Sequence, residues 1–510
     1  MFKKMIVCGL VFVMFNSTLL APFAFGTERD LIIERDWITE RDWLIENDEV
    51  AHIVYSPLYG DLTGDGIINS TDYAMLKRHI LSVRQLSEEE KVLADLNGDG
   101  VIDSSDCVLL QRYILGTIDV FPVEENNNVI NENISDGFID GNSNFAFDIF
   151  NQLNLEDGDK NVFISPFNIS VALSMVYQGA DSETKDEIAE VLGFDNLEIE
   201  DVNASYKYLL DYFDQLDNKI KINNANSIWL NSLQGDVIKD DFQSVNEDVF
   251  DALVSSRNFN DQSVLNELNN WISSATEGMI ENMLSSINPE VLTYIISAIY
   301  FNGTWTEEFD ADNSYEKAFY MEDGSSKDIM MMYKRSEIEY GEGDEYKAVR
   351  LPYGNGEVSM YCILPDEGTS INDFIEDMDV NMWNQIKNSI SKRESVKLLL
   401  PRFEIEYGAK SIVDSLTALG MTNAFDAGLA DFSNIFEIAS YISDIQHMAV
   451  IEVNEEGTEA AAATVVIITP TAAGPTIERP EFIADRPFMF VIADDVNDTI
   501  LFMGKLCDID

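Results

Sequence analysis

Histidine is scarce in this chain of 510 residues, which contains 3 His. From residue 141 onward the one histidine is His447, and it lies in a stretch, 445–453, whose apolar alternation predicts a buried strand. A Ser-His-Asp or Cys-His catalyst would need that histidine, and a zinc site would lack ligands at suitable spacing. Carboxylates are abundant, but no pair stands out for glycoside hydrolysis. We therefore expect a core histidine and no enzyme of these classes.

Cysteine is also too scarce for a disulfide framework. Residues 1–26 place two lysines before an apolar stretch and then small residues, which is the pattern of a secretory signal peptide that would remove Cys8. The other cysteines, Cys107, Cys362 and Cys507, are widely spaced, so stability must come from packing and metal. No later apolar run is long enough to span a bilayer. The sequence predicts a secreted, extracellular protein.

Basic residues are few: 32 Lys and Arg stand against 92 Asp and Glu, for a net charge of -60. Such a field repels nucleic acid and anionic lipid surfaces, so neither is expected as a partner. Hydrophobic residues make up 46% of the chain, which is enough for a sizeable packed core. The length exceeds what one core usually supports and predicts several domains.

The composition divides the chain into segments. Residues 27–58 carry three Glu-Arg-Asp copies, which indicate a charged acidic spacer. Residues 59–120 contain a longer repeat, and residues 121–140 are rich in Asn, Asp and Gly, as linkers are. Residues 141–510 alternate helical patterns with β-rich runs and predict an α+β domain. The clearest of these runs are 293–301 and 359–364.

Two twelve-residue loops recur at a spacing of 34 residues, the first from Asp61 and the second from Asp95. Each has oxygen-bearing residues and a sixth-position glycine at the spacing of an EF-hand-like calcium loop. A solvated turn would explain one such stretch, but two in register, each before a helical pattern, indicate two calcium ions. The predicted ligands are Asp61, Thr63, Asp65, the Ile67 carbonyl, Asn69 and Asp72, and then Asp95, Asn97, Asp99, the Val101 carbonyl, Asp103 and Asp106.

The paired loop-helix repeats resemble a dockerin module over residues 59–120, because position twelve is Asp and no matching helix precedes the first loop. The resemblance implies calcium-dependent folding, a cohesin module of a scaffolding protein as partner, and a place in a cellulosome. Thr63 stands where Asn or Asp is usual, so the first loop is expected to bind calcium more weakly. The near symmetry leaves open which repeat faces the cohesin. Residues at the family's recognition positions are Ser70, Thr71, Lys77, Arg78, Ser104, Ser105, Gln111 and Arg112.

Residues 455–475 are the most unusual segment of the C-terminal part. Four alanines, 460–463, would favour a helix, but they run into the β-branched residues 464–468 and then into Pro and Gly. A segment of small residues that is a loop in one state and a strand in another fits this order.

Five motifs in residues 141–510 resemble, in order, the landmarks of the serpin family of protease inhibitors. They are 161–166, 268–278, 298–305, 455–464 and 482–488. The resemblance implies a domain with three β-sheets, about nine helices and an exposed reactive-centre loop at roughly 457–480. The predicted architecture is therefore multidomain, with a small α calcium-binding dockerin before an α+β serpin fold.

The resemblance also implies a mechanism, in which a protease cleaves the loop and is trapped as an acyl-enzyme when the loop inserts into a sheet. Insertion requires small or β-branched side chains, because alternate residues enter a packed interior. Counting from the hinge places the scissile bond at Thr471–Ala472, and a small uncharged residue there favours a subtilisin-like or elastase-like serine protease. The hinge residues carried over from the family are Glu455, Gly457, Thr458, Ala460, Ala461, Ala462 and Ala463.

Further positions carried over from the family concern opening of the sheet. Ser297 stands where the family commonly has Asn, which puts the usual hydrogen bond to His447 in question, and Arg402 is expected to pair with Glu455. In the family, the region beneath the centre of the sheet is called the shutter, and the place where loop insertion starts is called the breach. The positions carried over for these two regions are Ser165, Asn168, Ser297, Trp305, Arg402 and His447.

Together these features predict a secreted suicide inhibitor of serine proteases that is docked to a cohesin scaffold and needs no cofactor for inhibition. Two alternatives stay open from the sequence. One is a non-inhibitory serpin that is cleaved as a substrate, and the other is a polysaccharide-degrading enzyme carried by the dockerin.

Overall fold

The computed structural model describes residues 59–63, 68–81, 83–84, 86–87, 91, 93–97, 102, 104–114, 121, 133–233, 238–458 and 479–509. The predicted signal peptide, 1–26, and the predicted spacer, 27–58, lie outside these residues.

Two helices form the N-terminal unit, α1 (Ser70–Ile80) and α2 (Ser104–Ile114). The side chain of Asn69 caps α1 by accepting a hydrogen bond of 2.8 Å from the backbone N–H of Thr71. Leucines at equivalent places of the two repeats lie buried in one shared core. They are Leu62 with Leu96, and Leu76 with Leu110.

The two ends of this unit meet at Gly60. Its φ is +82°, and a Cβ added there would lie 2.9 Å from the ring of Phe121. Phe121 is fully buried, and its ring centroid lies 4.6 Å from that of Tyr113. The packed unit therefore reaches Phe121, one residue past the boundary predicted from the sequence.

Nine α-helices lie in the described residues between 133 and 509, in agreement with the expected number. In α8 the residues Val264, Leu268 and Ile272 are buried at a spacing of four, as an amphipathic helix on a sheet requires. No helix in the described part of the chain is long and apolar enough to cross a membrane. The nine are α3 (Phe138–Glu156), α4 (Pro166–Tyr177), α5 (Ser182–Leu192), α6 (Ile199–Phe213), α7 (Asp240–Phe250), α8 (Ser263–Ala275), α9 (Ile371–Glu376), α10 (Val380–Ser389) and α11 (Val413–Leu419).

The strands are β1 (Val162–Ile164), β2 (Ile220–Asn231), β3 (Leu253–Arg257), β4 (Thr293–Thr304), β5 (Tyr315–Tyr320), β6 (Ser326–Glu342), β7 (Tyr346–Tyr353), β8 (Val358–Pro365), β9 (Ser391–Pro401), β10 (Phe403–Ser411), β11 (Gln446–Val453), β12 (Gly457–Thr458), β13 (Glu481–Ile483), β14 (Phe488–Asp494) and β15 (Thr499–Leu506). One six-stranded sheet has the order β10-β11-β4-β2-β3, with β12 also paired to β4.

The other strands are linked by hydrogen bonds through β6, which is 17 residues long. The order is β1-β15-β14-β8-β7-β6-β9-β13, with β5 also on β6. β5 pairs with residues 326–331 of β6 and β9 with residues 331–340, whereas β7 pairs with residues 339–342 at the end of the strand. These are two sheets that share one long strand, and with the six-stranded sheet they make the three sheets expected.

β4 lies at the centre of the six-stranded sheet and contributes to two cores. Ile299 and Phe301 belong to the main core, which lies between this sheet and the others. Ile296 and Ala298, on the opposite face, pack with Leu268 of α8. A strand added beside β4 would therefore have packed side chains on both of its faces.

The large domain begins earlier than the sequence predicted. Phe138, the first residue of α3, is fully buried, and its ring lies 5.2 Å from that of Phe194 and 4.8 Å from that of Tyr206. The end of the predicted linker, 121–140, is thus part of the domain. Residues 122–132 lie outside the described residues.

Candidate functional site

The chain leaves β11 and returns at once to the same sheet. β11 pairs in parallel with residues 296–300 of β4. Shortly after β11 ends, β12 pairs antiparallel with the end of β4, with Gly457 opposite Thr304 and Thr458 opposite Gly303. The start of the predicted hinge is therefore seated in the sheet.

Gly457 fits this position because it has no side chain. Its φ is +147°, and a Cβ there would lie 2.1 Å from the carbonyl oxygen of Gly303. Any other residue would have to move the two backbones apart. The glycine thus permits the hinge to lie directly against β4.

Thr458 points into the interior and is 2% exposed. Its Oγ1 lies 3.1 Å from the hydroxyl oxygen of Tyr353, which is fully buried. The Tyr353 ring stacks on Trp305 with centroids 4.3 Å apart and planes 12° apart. Burial raises the pKa of Tyr353 well above its usual value, so the hydroxyl stays protonated. Tyr353, which the sequence did not point to, joins the breach residue Trp305 to the hinge.

Glu455 anchors the hinge to the neighbouring strands. Its Oε1 accepts a hydrogen bond of 2.5 Å from Arg402, which is the expected ion pair, and another from the hydroxyl of Ser314. Burial alone would raise the pKa of Glu455, but these hydrogen bonds hold it below its usual value. The carboxylate is therefore ionised and paired at neutral pH.

Main-chain hydrogen bonds hold residues 454–456 against the segment that follows β4. Trp305 donates its backbone N–H to the Glu456 carbonyl at 2.9 Å and its indole N–H to the Asn454 carbonyl at 3.0 Å. Phe309 donates its N–H to the Glu455 carbonyl at 2.8 Å. The residues just before the hinge are thus fixed beside the end of β4.

The predicted shutter residues Ser165, Asn168, Ser297 and His447 are buried together beneath the six-stranded sheet. The backbone N–H of Ser165 donates to Nε2 of His447 at 3.2 Å. Ser297 donates to the carbonyl oxygen of Asn168 at 3.0 Å and lies 3.1 Å from the side-chain oxygen of Asn226. In this cluster His447 is therefore bonded to Ser165, and Ser297 to Asn168 and Asn226, in place of a hydrogen bond between the side chains of residues 297 and 447.

Three polar atoms of this cluster have no hydrogen-bond partner among the described residues. They are Nδ1 of His447 and both amide atoms of the Asn168 side chain. Burial lowers the pKa of His447 to about 3, so the imidazole is neutral at physiological pH. A catalytic base needs a pKa near the working pH, so His447 is a core residue, as its sequence pattern predicted.

The rest of the predicted reactive-centre loop lies outside the described residues, including Ala460, Ala461, Ala462, Ala463, Thr471 and Ala472. The description resumes at Arg479, and β13 pairs in parallel with residues 397–399 of β9. The segment between Thr458 and Arg479 thus connects two different sheets.

Four predicted calcium ligands of the first loop come together in the N-terminal unit. Oγ1 of Thr63 lies 3.2 Å from a carboxylate oxygen of Asp61 and 3.0 Å from one of Asp72, and Asp72 also accepts from the backbone N–H of Asn69 at 2.8 Å. Asp61 is 5% exposed and Asp72 is fully buried. Two buried carboxylates around one hydroxyl are an arrangement that a divalent cation stabilises, so these residues fit calcium.

In the second loop Asp106 is fully buried and accepts a hydrogen bond of 2.8 Å from the backbone N–H of Leu96. Asp95 and Asn97 are also described, at the start of this loop. The remaining predicted ligands, Asp65, Ile67, Asp99, Val101 and Asp103, lie outside the described residues.

The predicted cohesin-binding residues of α1 are exposed, at spacings that place them on one face of the helix. They are Ser70, Thr71, Lys77 and Arg78. On α2, Gln111 and Arg112 are exposed, whereas the side chains of Ser104 and Ser105 lie outside the described part. Each repeat therefore presents a polar surface with basic character.

Family models match both parts of the chain. The model of the serpins, described as serine protease inhibitors, matches residues 140–509. The chain belongs to the serpin family. A type I dockerin domain model matches residues 59–115, so the serpin domain is preceded by a dockerin domain.

Curated relatives match the serpin domain at about one third identity. An uncharacterized serpin-like protein of Methanosarcina acetivorans is 32% identical over 376 residues, which cover 72% of this chain and 86% of the relative. Serpin B6 of Pongo abelii is 33% identical over 387 residues, which cover 72% of this chain and 99% of the relative.

Solved structures match over a similar share of the chain. The native state of the thermophilic serpin tengpin has a TM-score of 0.68 and 31% identity, over 74% of this chain and 95% of that one. Native protease nexin-1, crystallised with heparin, has a TM-score of 0.64 and 27% identity, over 73% of this chain and 98% of that one. The serpin fold expected from the sequence is confirmed.

Proposed function

We propose that this protein is secreted and acts as a suicide inhibitor of serine proteases, docked through a calcium-bound dockerin to a cohesin of a cellulosome. The observation that carries the inhibitory part is the seated hinge, in which Gly457 and Thr458 already pair with β4. A serpin that traps proteases must add its loop to this sheet as a strand, and the hinge occupies the first positions of that strand.

Continuing the register of the hinge predicts how the rest of the loop would pair after cleavage. Each step forward along the loop moves one residue back along β4, so Thr464 would oppose Ser297. Ile468 would oppose Thr293, where β4 begins. Residues 457–468 therefore match the full length of β4, which is 12 residues.

The same register sorts the loop side chains onto two faces. Because Thr458 faces the main core, every second residue after it would do so too. The inward positions are Thr458, Ala460, Ala462, Thr464, Val466 and Ile468, and the positions facing the side of α8 are Glu459, Ala461, Ala463, Val465 and Ile467. Only Glu459 is charged, and it would oppose Asn302 near the end of β4. The loop can thus enter two packed cores without burying a charge deep in either.

In the proposed reaction the serine hydroxyl of the protease adds to the carbonyl carbon of Thr471. The bond to the nitrogen of Ala472 breaks, that nitrogen leaves with a proton from the histidine of the protease, and the acyl group stays on the serine as an ester. The freed loop then pairs with β4 before water hydrolyses the ester. Insertion moves the attached protease and distorts it, which stops deacylation.

The residue before the scissile bond sets the target class. Thr471 is small and uncharged, so it fits a shallow apolar pocket and offers nothing to the buried aspartate of a trypsin-like enzyme. The proposed target is therefore a subtilisin-like or elastase-like serine protease.

Docking would depend on calcium held by Asp61, Thr63, Asn69 and Asp72 in the first loop and by Asp95, Asn97 and Asp106 in the second. The ion would neutralise the buried carboxylates and so hold the exposed residues of α1 and α2 in place for a cohesin. A pull-down with a cohesin module in calcium and in excess chelator tests this part. Capture that is unchanged by the chelator would contradict it.

Protease trapping is tested by mixing the purified protein with subtilisin or elastase and separating the products on a denaturing gel. We expect an SDS-stable complex, and mass spectrometry should place the cut at Thr471–Ala472. Clean cleavage without a complex, by a protease that stays active, would show that the protein is a substrate of these enzymes.

Two adjacent variants test the register within this experiment. Thr458→Arg should abolish the complex but leave cleavage intact, because the side chain would enter the core at Tyr353. Glu459→Arg should keep the complex, because the same side chain would lie on the opposite face from the main core, near the end of β4, where Glu459 already places a charge. Thermal unfolding checks that both variants are folded. Equal loss in both would show that the loop does not insert in this register.

A further inference from the structure

A cavity of about 200 Å³ lies beside Trp305, the predicted breach residue, and the mechanism proposed above does not use it. Its apolar wall contains Trp305, Phe309, Ile338 and Leu351, all of which are buried. The rings of Trp305 and Phe309 lie 6.3 Å apart at 70°. Tyr353 stacks on Trp305, and Nζ of Lys334 lies 5.8 Å from the centroid of the Phe309 ring, so a ligand ring would meet the parts of the two rings that these neighbours leave uncovered. The volume is below that of sites for drug-sized ligands and suits a molecule with one ring.

Most of the charges around this cavity are already paired. Lys334 lies 3.0 Å from a carboxylate oxygen of Glu307, and Arg350 lies 2.5 Å from one of Glu339. These pairs close two sides of the cavity with no net charge. The charged lining residues outside these two pairs are therefore the ones that could contact a ligand.

Those remaining residues are Lys392 and Glu337, which are exposed and form no ion pair within the described part of the chain. Lys392 lies directly opposite Glu339 in the pairing of β9 with β6, and Glu337 is two residues from Glu339. The pairing is irregular between Ser336 and Ile338, so Glu337 stands in this irregularity, and both Glu337 and Lys392 line the cavity. The rim thus offers one cation and one anion above an aromatic wall.

We propose that this cavity binds a free aromatic amino acid, with its ring against Trp305 and Phe309, its carboxylate on Lys392 and its ammonium on Glu337. A zwitterion satisfies both unpaired charges, whereas an aromatic acid or amine satisfies only one. Binding requires neither a protease nor cleavage of the loop, so the proposal stands apart from the inhibitory function.

Isothermal titration calorimetry of the intact protein with L-phenylalanine tests the site directly. We expect saturable binding that is at least about tenfold tighter than that of 3-phenylpropanoate or 2-phenylethylamine, because each lacks one charged contact. Lys392→Gln and Glu337→Gln should each weaken L-phenylalanine about tenfold for the same reason. Arg393→Gln, the same charge change one residue away from the lining, is the matched control and should bind as the wild type does.

The proposal is overturned by any of three results. One is the absence of L-phenylalanine binding up to roughly 10 mM. The second is equal affinity for 3-phenylpropanoate, which would remove the role of Glu337. The third is equal weakening in Arg393→Gln and Lys392→Gln, which would show a general effect of surface charge. Unchanged thermal unfolding temperatures of the variants confirm that each is folded for these comparisons.

Discussion

The hydroxyl oxygen of Tyr353 lies 3.1 Å from Oγ1 of Thr458, although the two residues are 105 positions apart in the chain. Both side chains are buried, and the Tyr353 ring also stacks on Trp305. This hydrogen bond connects Thr458, in the predicted hinge, through Tyr353 to Trp305, the predicted breach residue.

Tyr353→Phe should therefore destabilise the protein while keeping the aromatic stacking. It leaves the buried hydroxyl of Thr458 without its partner, which should lower the free energy of unfolding by about 1–2 kcal/mol. Thr458→Val should cost a similar amount, and the double variant should cost roughly 1 kcal/mol less than the sum. Urea unfolding measures all three. Tyr320→Phe, at a side chain that is 55% exposed, is the control and should leave the free energy of unfolding unchanged. If the losses in the two single variants simply add up in the double variant, the hydrogen bond between Tyr353 and Thr458 does not contribute.

Glu455→Gln should destabilise the protein at neutral pH and not in acid. The folded pKa of Glu455 lies below its unfolded value of about 4.3, so the ionised form contributes stability above that pH, and the contribution is lost as the pH falls through the folded pKa. At pH 7 the expected loss is about 1 kcal/mol, because Arg402 is 43% exposed and remains hydrated without its partner. Urea unfolding at pH 7 and at a pH well below 4 measures the difference.

Glu456→Gln is the matched control for this experiment. Burial and the neighbouring carboxylates of Glu308 and Glu455 raise the pKa of Glu456, so its ionised form is disfavoured in the folded protein. Removing that charge should leave stability at pH 7 unchanged or slightly higher. An equal loss in both variants would mean that the Arg402 pair is not responsible.

His447 should make the protein less stable in mild acid. Its folded pKa, about 3 because of burial, lies below the unfolded value of about 6.5. The unfolded chain therefore binds one more proton between these values, so stability is full above about pH 6.5 and then falls by up to about 1.4 kcal/mol per pH unit. His447→Gln, whose amide oxygen can still accept from Ser165, should remove this dependence in urea unfolding between pH 7.5 and 5.5.

The titration of Asp494 changes the stability in the opposite direction over part of this pH range, so the pH dependence of each variant must be compared with that of the others. Burial raises the pKa of Asp494 to about 6, and the folded protein gains stability as this carboxyl is protonated. The slope for Asp494→Asn should therefore be steeper than that of the wild type. If His447→Gln leaves the slope as it was, the imidazole is protonated in the folded protein and the assignment is wrong.

Exchanging the residues at position three of the two predicted calcium loops should exchange the calcium affinities of the loops. Thr63→Asn supplies a carbonyl oxygen in place of a hydroxyl and should strengthen the first site, and Asn97→Thr should weaken the second. Calcium titration by calorimetry on the intact protein resolves both steps. Removal of calcium by a chelator should unfold the dockerin domain and leave the thermal transition of the serpin domain in place. Identical titrations of the two variants would show that position three does not set affinity.

Local patterns in the sequence were enough to predict much of the fold. The alternation around His447 gave the buried strand β11, and the runs 293–301 and 359–364 fall within β4 and β8. These patterns are local, since one face of a strand or helix must be apolar wherever it packs. The dockerin repeats were likewise found from a local pattern, the spacing of oxygen-bearing residues in each loop.

The contacts that assemble the hinge were not predictable in this way. Tyr353 lies in an ordinary strand, β7, and nothing near it in the sequence marks it as the partner of Thr458 or Trp305. Ser314, which donates to Glu455, comes from a short connection and has no periodic pattern. The seating of Gly457 against Gly303 depends on two backbones that are far apart in the chain. Such long-range pairs leave no trace in the composition or spacing of one sequence.

One edge of β4 carries two neighbours of opposite direction, parallel β11 along residues 296–300 and antiparallel β12 at 303–304. Each residue on a strand edge can pair with only one neighbouring strand. The pairing of β4 therefore changes from β11 to β12 at a boundary, which lies at Phe301 and Asn302. In the proposed mechanism this boundary would move along β4 as the loop inserts, so its position would distinguish the intact protein from the cleaved one. Hydrogen exchange at the amides of β4 would read that position one residue at a time.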